Sequence, residues 1–217
     1  MQIKIVYDNE ALPGFLKAWG YSCLVDLGDR KILFDTGWDG SKLLANLAKI
    51  GESPSEIDSI VLSHNHWDHV GGINHLRERE PDLWVPASFS KNMKADLSHR
   101  FRLHEVTEWA RIGDGVWTTG ELGRNPKEQS LVLRTSEGVL TIVGCSHPGV
   151  KVILAAASHY GKPWGIIGGM HGFDDFRVLR DLELVAPLHC TVRKREILDL
   201  FPNRARAGAA GTVFEVE

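Results

Sequence analysis

Residues 61–72 read VLSHNHWDHVGG, and this stretch decides how the rest of the chain is interpreted. Three histidines and one aspartate fall within six positions, directly after an apolar run at residues 60–62 that predicts a buried strand. Four buried ionisable groups without a counter-ion would each cost several kcal/mol. Imidazole and carboxylate are ligands of zinc, iron(II) and manganese(II). The pattern H-x-H-x-D-H therefore predicts half of a metal site, with the ligands His64, His66, Asp68 and His69.

The composition is that of an ordinary globular protein without a strong positive field. The chain has 217 residues, 43% of them hydrophobic, and a net charge of -3 with histidine neutral. A chain with no basic stripe is a poor candidate for nucleic-acid binding, and no run is long and apolar enough to span a bilayer. Three widely separated cysteines do not make a disulfide framework, and residues 1–9 have a strand pattern rather than that of a signal peptide. We therefore expect a cytoplasmic protein with a small-molecule substrate and neither nucleic acid nor membrane as partner; a homodimer stays open.

Apolar patterning predicts a single domain over residues 1–217, because no linker, repeat or low-complexity block interrupts it. Helices are predicted over residues 41–50, where the leucines share one face, over residues 72–79, and near residues 176–185. Residues 82–112 have a less clear pattern: residues 83–85 are interpreted as a strand and residues 91–98 as a helix, and we expect a substrate-facing insertion in this segment. Strands and helices that alternate in two similar series predict an α/β protein with helices packed outside two sheets.

Three further histidines each end an apolar strand in the second half of the chain. In layered α/β proteins, strand ends on one edge converge, and ligands tend to bind there. We therefore predict that the later histidines complete the site that residues 64–69 begin, and that the site holds two ions. The predicted ligands are His64, His66 and His147 for one ion, and Asp68, His69 and His189 for the other.

The sequence of residues 64–69, HNHWDH, resembles the signature of the metallo-β-lactamase superfamily. In that family the motif follows a strand of a four-layer αββα sandwich, so the resemblance implies this α/β fold. It also implies that His147 and His189 are the remaining ligands, and that Asp35, in the sequence FDTG, lies near the metals and orients a ligand histidine. The implied cofactor is a pair of divalent ions, with zinc expected and iron or manganese as alternatives.

A narrower resemblance runs along nearly the whole chain. Its motifs are VYDN at 6–9, TGELGR at 119–124, GCSHPG at 144–149, GGMH at 168–171 and HCT at 189–191. They resemble the branch that contains the dihydropterin-transferring synthases of methanopterin-type cofactor biosynthesis and related metal-dependent hydrolases. Much of the superfamily has a bridging aspartate on the strand that here ends in His171, so His171 either replaces that aspartate or binds substrate.

We predict a dinuclear metal-dependent hydrolase that uses a metal-bound hydroxide on an ester-, lactone- or phosphoester-type small molecule. Two alternatives stay open: a dihydropterin-transferring synthase that forms a C–C or C–N bond with release of pyrophosphate, and a non-catalytic metal-binding protein. Cys145 and Cys190 are interpreted as small packing residues rather than ligands. The residues predicted to take part in catalysis are Asp68, Asp35 and His171, and weaker candidates for substrate binding are Asn9, Glu121, Arg124 and Arg193.

Overall fold

A computed structural model of the protein describes residues 1–76 and 80–217, which form two compact units. The first unit consists of Met1–Thr107 and Ala209–Val216, and the second of Glu108–Gly208 with Glu217. Each unit contains one mixed β-sheet, and its helices lie between strands in the sequence. The single domain expected over residues 1–217 stays a prediction.

The strands in chain order are β1 (Gln2–Tyr7), β2 (Ser22–Asp26), β3 (Lys31–Phe34), β4 (Ser59–Val61), β5 (Asp82–Pro86), β6 (Arg102–Val106), β7 (Ala110–Gly113), β8 (Val116–Thr118), β9 (Leu131–Arg134), β10 (Val139–Val143), β11 (Pro163–Gly169), β12 (Leu184–Leu188) and β13 (Val213–Glu215). The α-helices are α1 (Gly40–Lys49), α2 (Trp67–Val70), α3 (Lys91–Ser98), α4 (Val150–Ala157) and α5 (Lys194–Leu200). Within the described ranges, no helix combines the length and the apolar composition that crossing a bilayer requires.

The sheet of the first unit has the strand order β13-β1-β2-β3-β4-β5-β6. Its β13, β1, β2 and β3 pair antiparallel, whereas β3, β4, β5 and β6 pair parallel. Parallel neighbours end at the same edge of a sheet, and the amide of Asp35, just after β3, donates to the carbonyl of Val61 at the end of β4. The topology therefore places Asp35 beside the segment that carries the H-x-H-x-D-H motif.

Helix α1 confirms the helix predicted over residues 41–50. It begins after Asp39, whose side chain accepts hydrogen bonds from the amides of Ser41 and Lys42, and it buries Leu43 and Leu47 in the core of the first unit. The helix predicted over residues 72–79 is a 3₁₀ helix at Gly71–His75, and residues 77–79 lie outside the described part of the chain.

The expectation of an insertion at residues 82–112 is wrong. Strands β5 and β6, with α3 between them, extend the parallel part of the first sheet, and their register pairs Leu83 with Leu103. Leu83 and Val85 are fully buried, so this segment belongs to the core of the first unit. The strand at residues 83–85 and the helix at residues 91–98 are confirmed as β5 and α3, whereas β6 was not predicted.

The sheet of the second unit has the strand order β12-β11-β10-β9-β8-β7. Strands β10, β11 and β12 pair parallel, and the remaining neighbours pair antiparallel. Because β10, β11 and β12 end at one edge, the residues that follow them come together there. The helix predicted near residues 176–185 is wrong: only a 3₁₀ turn at Phe176–Leu179 forms, and β12 begins at Leu184.

Candidate metal centre

The first unit gathers four of the predicted ligands, His64, His66, Asp68 and His69, which we call the first histidine cluster. The ring centroids of His64 and His66 lie 4.6 Å apart, and those of His64 and His69 lie 4.2 Å apart. His69 Nε2 lies 3.8 Å from Asp68 Oδ2. His64 and His69 are fully buried and Asp68 nearly so, whereas His66 is exposed. The cluster forms because the chain turns from β4 into the short helix α2 within a few residues.

Asp35 holds the first histidine cluster in place through hydrogen bonds. This is the role that the sequence predicts for an aspartate that orients a ligand histidine. Its Oδ1 accepts the amide of Ser63 at 2.7 Å, and its Oδ2 lies 2.7 Å from both Ser63 Oγ and His69 Nδ1. Ser63 Oγ lies 2.8 Å from His64 Nδ1. All four residues are fully buried.

The proton positions in this network follow from the number of donors. An ionised carboxylate only accepts, so His69 carries its proton on Nδ1 and Ser63 donates its hydroxyl proton to Asp35. The Ser63 oxygen then accepts from Nδ1 of His64. In the neutral form of both imidazoles, Nε2 is then the unprotonated nitrogen, which is the form that binds a metal ion. A carboxylate that fixes ligand tautomers is typical of metal-binding histidines.

The second unit gathers His147, His171, His189, Cys145 and Cys190, which we call the second histidine cluster. These residues follow the ends of β10, β11 and β12. The ring centroids of His147 and His171 lie 4.5 Å apart, and the ligand atoms of Cys145, His147 and His171 lie within 4.8 Å of one another. The ligand atoms of Cys145, His189 and Cys190 also lie within 4.8 Å of one another. The three histidines predicted at strand ends are therefore neighbours within this unit.

Glu128 holds the loop that carries His147, and sequence reasoning missed it. Its side chain is fully buried just before β9, where Oε1 accepts the amides of Gly144, Cys145 and Ser146 at 3.0–3.1 Å. Oε2 accepts the amide of His147 at 2.8 Å. Four charge-assisted hydrogen bonds satisfy the buried carboxylate and the backbone together. The one signal in the sequence is an acidic residue three positions before an apolar strand, whereas Asp35 directly follows one.

Backbone strain is concentrated at the two clusters. The non-glycine residues with positive φ in the described ranges are Asp35 (58°), Ser146 (61°), His171 (42°) and His189 (47°). Each follows a strand, and each is a candidate ligand or lies beside one. Such conformations cost about 1–3 kcal/mol apiece and persist where the surroundings impose them, which occurs most often at functional sites.

The two cysteines of the second histidine cluster contact each other and the neighbouring histidines. Cys145 is buried and Cys190 half-buried, and a hydrogen bond between the two thiols lowers the pKa of Cys190. Burial opposes this shift, while His171 and His189 add to it. Cys23, in β2 of the first unit, differs because burial raises its pKa to about 12. Interpreting Cys145 and Cys190 as packing residues therefore omits their contact with each other and with the histidines.

Three of the four weaker candidates for substrate binding have partners in the structure. Asn9 Oδ1 accepts the amide of Gly20, and Glu121 forms an ion pair with Lys127 at 2.8 Å. Arg193 is exposed and lies 3.2 Å from Glu196, and Arg124 is exposed. These contacts assign no ligand to any of them, so their role in substrate binding stays a prediction.

The donor chemistry of both clusters fits divalent metal ions. The first cluster offers imidazole nitrogens and a carboxylate, and the second offers imidazole nitrogens and thiols; zinc accepts all three ligand types. The Nε2 atoms of His64, His147 and His189 are buried, so the rings present these atoms to the interior rather than to solvent. Groups of histidine, aspartate and cysteine that could hold a metal are thus present, and the identity of the metal is a matter for experiment.

Comparison with known proteins agrees with these features. The sequence model of the family described as the metallo-beta-lactamase superfamily matches residues 20–157, more than half of the chain. A 7,8-dihydropterin-6-methyl-4-(beta-D-ribofuranosyl)-aminobenzene-5'-phosphate synthase from Methanocaldococcus jannaschii is 25% identical, and the match covers 84% of each chain.

Solved structures give the same family. Tm1679, described as a metal-dependent hydrolase of the beta-lactamase superfamily, superposes with a TM-score of 0.85 at 25% identity, covering 100% of this chain and 99% of that one. A diphosphatase from the PhnP family superposes with a TM-score of 0.66 at 14% identity, over 100% of this chain and 98% of its own, which is a likeness of fold alone. The predicted fold class and both predicted resemblances are confirmed. The chain belongs to the metallo-β-lactamase superfamily and has the fold of that family.

Proposed function

We propose that this protein is a dinuclear metal-dependent hydrolase that acts on an ester, lactone or phosphoester bond of a small molecule. The observation that carries the proposal is the buried network of Asp35, Ser63, His64 and His69, which fixes the orientation and the tautomers of two imidazoles. A protein that only packs these histidines in its core has no need of a carboxylate that sets their tautomers. The similarity to Tm1679, which is described as a metal-dependent hydrolase, supports the same choice.

The ligand assignment is the one that the sequence predicts. His64, His66 and His147 bind one ion, and Asp68, His69 and His189 bind the other. Zinc is the expected metal, and iron or manganese suit the same nitrogen and oxygen donors. When bound, two divalent ions supply Lewis acidity and lower the pKa of a water molecule to about 7.

The two aspartates of the first unit have different tasks in this proposal. Asp35 is fully buried and already accepts from Ser63 and His69, so it acts through these residues and is a positioning residue. Asp68 retains 9% exposure and lies beside His69, so it is the carboxylate that can pass a proton between the site and solvent. His171 lies 4.5 Å from His147 by ring centroids and either replaces the bridging aspartate of the family or contacts substrate.

A second function is favoured by one specific observation, the match over 84% of the chain to the archaeal synthase. A synthase would join a dihydropterin diphosphate to an aminobenzene acceptor and release pyrophosphate. It would need the same divalent ions and the same oriented histidines. The two candidates therefore differ in the identity of the nucleophile, which is water in one case and an aromatic acceptor in the other.

One set of assays separates these functions. The purified protein is loaded with zinc, manganese or iron(II), its metal content is measured by mass spectrometry, and it is offered p-nitrophenyl esters, acyl lactones and bis-p-nitrophenyl phosphate. The hydrolase proposal expects about two equivalents of metal and metal-dependent release of product. Pyrophosphate release from a dihydropterin diphosphate that requires the aminobenzene acceptor would replace it with the synthase. A single equivalent of inert metal with no turnover would favour the non-catalytic alternative.

Two variants provide the matched comparison. His64→Ala removes a ligand of the first cluster and should lose most of the bound metal and the activity. His99→Ala changes an exposed histidine at the end of α3 and should retain both. Equal metal content and turnover in the two variants would rule out His64 as a ligand.

A further inference from the structure

Two thiols lie side by side in the second histidine cluster. Cys145 follows β10 and Cys190 follows β12, and their sulfur atoms lie within 4.8 Å of each other and of a ring nitrogen of His189. Cys190 Sγ also lies 3.9 Å from the carbonyl oxygen of Cys145. Two sulfur atoms at this separation reach the roughly 2.05 Å of a disulfide bond when the Cys190 side chain rotates and the backbone of its segment shifts toward Cys145, because the two residues follow strands on either side of β11.

Gly169 explains how thiols from two non-adjacent strands meet. Strand β11 lies between β10 and β12, and Gly169 is its last residue. A side chain at this position would place its Cβ 2.7 Å from Cys190 Sγ and 3.3 Å from Cys145 Cα. The missing side chain leaves the space that the thiol of Cys190 occupies as it reaches across β11 toward Cys145.

We propose that Cys145 and Cys190 form a reversible disulfide on reaction with a peroxide, and that this modification prevents His189 from binding metal. The disulfide itself does not depend on the proposed function, whereas its effect on metal binding rests on the assignment of His189 as a ligand.

The steps balance with hydrogen peroxide as the oxidant. The sulfur of Cys190, which is the more exposed of the two, attacks one peroxide oxygen, the O–O bond breaks, and Cys190 becomes a sulfenic acid as one water leaves. The sulfur of Cys145, which is 2% exposed, then attacks the sulfenic sulfur, and the S–S bond forms as the second water leaves. Two thiols are oxidised to one disulfide, and one peroxide is reduced to two waters.

The link to the metal ligand is covalent. Cys190 is bonded to His189, whose backbone already has a φ of 47°, so the shift that draws the Cys190 sulfur toward Cys145 also turns the adjoining imidazole. Thr191 anchors the other side of this segment, because its hydroxyl accepts the amide of Met170 and donates to the carbonyl of Leu188. The segment therefore accommodates the new bond at His189 rather than beyond Thr191.

The chemical test uses the full wild-type chain. The protein is exposed to stoichiometric hydrogen peroxide, free thiols are blocked with iodoacetamide, and peptides are identified by mass spectrometry without reduction. We expect a linked Cys145–Cys190 peptide that dithiothreitol reverses, and the same result in Cys23→Ala. Cys190→Ser should form no internal link. Cys145 and Cys190 recovered as separately alkylated or separately over-oxidised residues would overturn the proposal.

The second measurement is the affinity for zinc, followed by competition with a metallochromic indicator in the reduced, oxidised and re-reduced protein. We expect oxidation to weaken zinc binding at least about tenfold and reduction to restore it, in line with the sensitivity of metal sites to ligand orientation. A disulfide that forms while zinc binds unchanged would overturn the effect on His189. Absence of zinc binding in every state would instead contradict the proposed function and leave the disulfide standing.

Discussion

The two histidine clusters are each organised by one buried carboxylate, but the two carboxylates hold different parts of the chain. Asp35 binds mainly side chains, the hydroxyl of Ser63 and the imidazole of His69. Glu128 binds backbone alone in the contacts described above, four consecutive amides from Gly144 to His147. Asp35 therefore sets the protonation and the ring orientation of the histidines, and Glu128 sets the backbone path of the loop that carries His147.

Because of this difference, substitution of Asp35 and substitution of Glu128 should affect different properties, metal binding in the first case and folding stability in the second. Loss of the Asp35 contacts changes which nitrogen of an imidazole carries the proton, while the backbone of the cluster can stay in place. Loss of Glu128 leaves four amides inside the protein without their acceptor, and a buried donor without a partner carries a desolvation penalty of about 1–3 kcal/mol. We therefore expect Glu128 to govern stability and Asp35 to govern metal affinity.

The largest effect on stability is expected for Glu128→Ala. The substitution removes the acceptor of four buried amides, and the loop can recover only some of these bonds with water, so the free energy of unfolding should fall by at least about 3 kcal/mol. Urea denaturation of the metal-free protein measures this value. Glu105→Ala is the matched control, because Glu105 forms an exposed ion pair with Lys94 that is worth less than about 1 kcal/mol. Equal losses in the two variants would show that the Glu128 carboxylate does not support the loop.

The next effect is expected for Asp35→Asn, and it should appear in metal binding more than in stability. Asparagine has one acceptor oxygen and an NH2 donor group, and the NH2 group must face either the amide of Ser63 at the position of Oδ1 or Ser63 Oγ and His69 Nδ1 at the position of Oδ2. The network that orients the two histidines is therefore broken at one end. Zinc affinity should fall about 10- to 100-fold, which is typical when the residue that orients a ligand is changed. Competition with a chelator measures it.

Asp39→Asn supplies the control in the same unit. Asp39 caps α1 with its side chain, and asparagine is an equally good cap, so neither stability nor zinc affinity should change. If Asp35→Asn bound zinc as tightly as the control, the side-chain network would have no influence on the ligands. Asp35 and Glu128 would then not differ in the way proposed.

A smaller effect is expected for Ser63→Ala. The substitution cuts the link from Asp35 to His64 and leaves the direct contact with His69, so zinc affinity should fall about fivefold, the equivalent of one hydrogen bond of about 1 kcal/mol. Combined with Asp35→Asn, it should add less than its separate effect, since both changes break the same path. Fully additive losses would mean that Ser63 acts on His64 independently of Asp35.

The same contrast explains how far the sequence predicts the site. The first cluster is contiguous in sequence and follows an apolar run, so ligand types, strand and turn are all visible in residues 60–69. Asp35 carries a recognisable motif. Glu128 acts on backbone amides 16–19 residues away, and no residue pattern records which amides a carboxylate will reach.

The secondary-structure predictions fail where tertiary pairing decides the outcome. Residues 176–185 have a helical spacing of apolar residues, yet β12 begins at Leu184 because it pairs parallel with β11 and is buried on both faces. Strand β6 is short and carries His104 and Glu105 among apolar residues, so its periodicity is weak until pairing with β5 in the parallel sheet defines it. The histidines at strand ends are predictable because a polar residue after a buried run is a local signal.

The smallest effect tests whether burial is the reason that Glu128 and Asp35 matter. Asp26 also accepts hydrogen bonds, from Lys4 Nζ at 2.8 Å and from the amide of Gly28 at 2.9 Å, but it is only partly buried. The hydrogen bond from Lys4 lowers the pKa of Asp26 below its ordinary value of 3.8. Stability from this carboxylate is therefore present above the unfolded pKa and is lost as the pH falls through the lower folded pKa.

Asp26→Asn should consequently cost less than about 1 kcal/mol at pH 7, because the pair of Asp26 and Lys4 is only partly buried and water and salt still screen it. The difference from wild type should shrink as the pH falls below 3.8, and urea denaturation at a series of pH values measures it. A loss as large as that of Glu128→Ala would show that the number of hydrogen bonds, and not their burial, determines what a carboxylate contributes. If the loss of stability is instead small and depends on pH, burial is the property that distinguishes Asp35 and Glu128 from the more exposed Asp26 and Glu105.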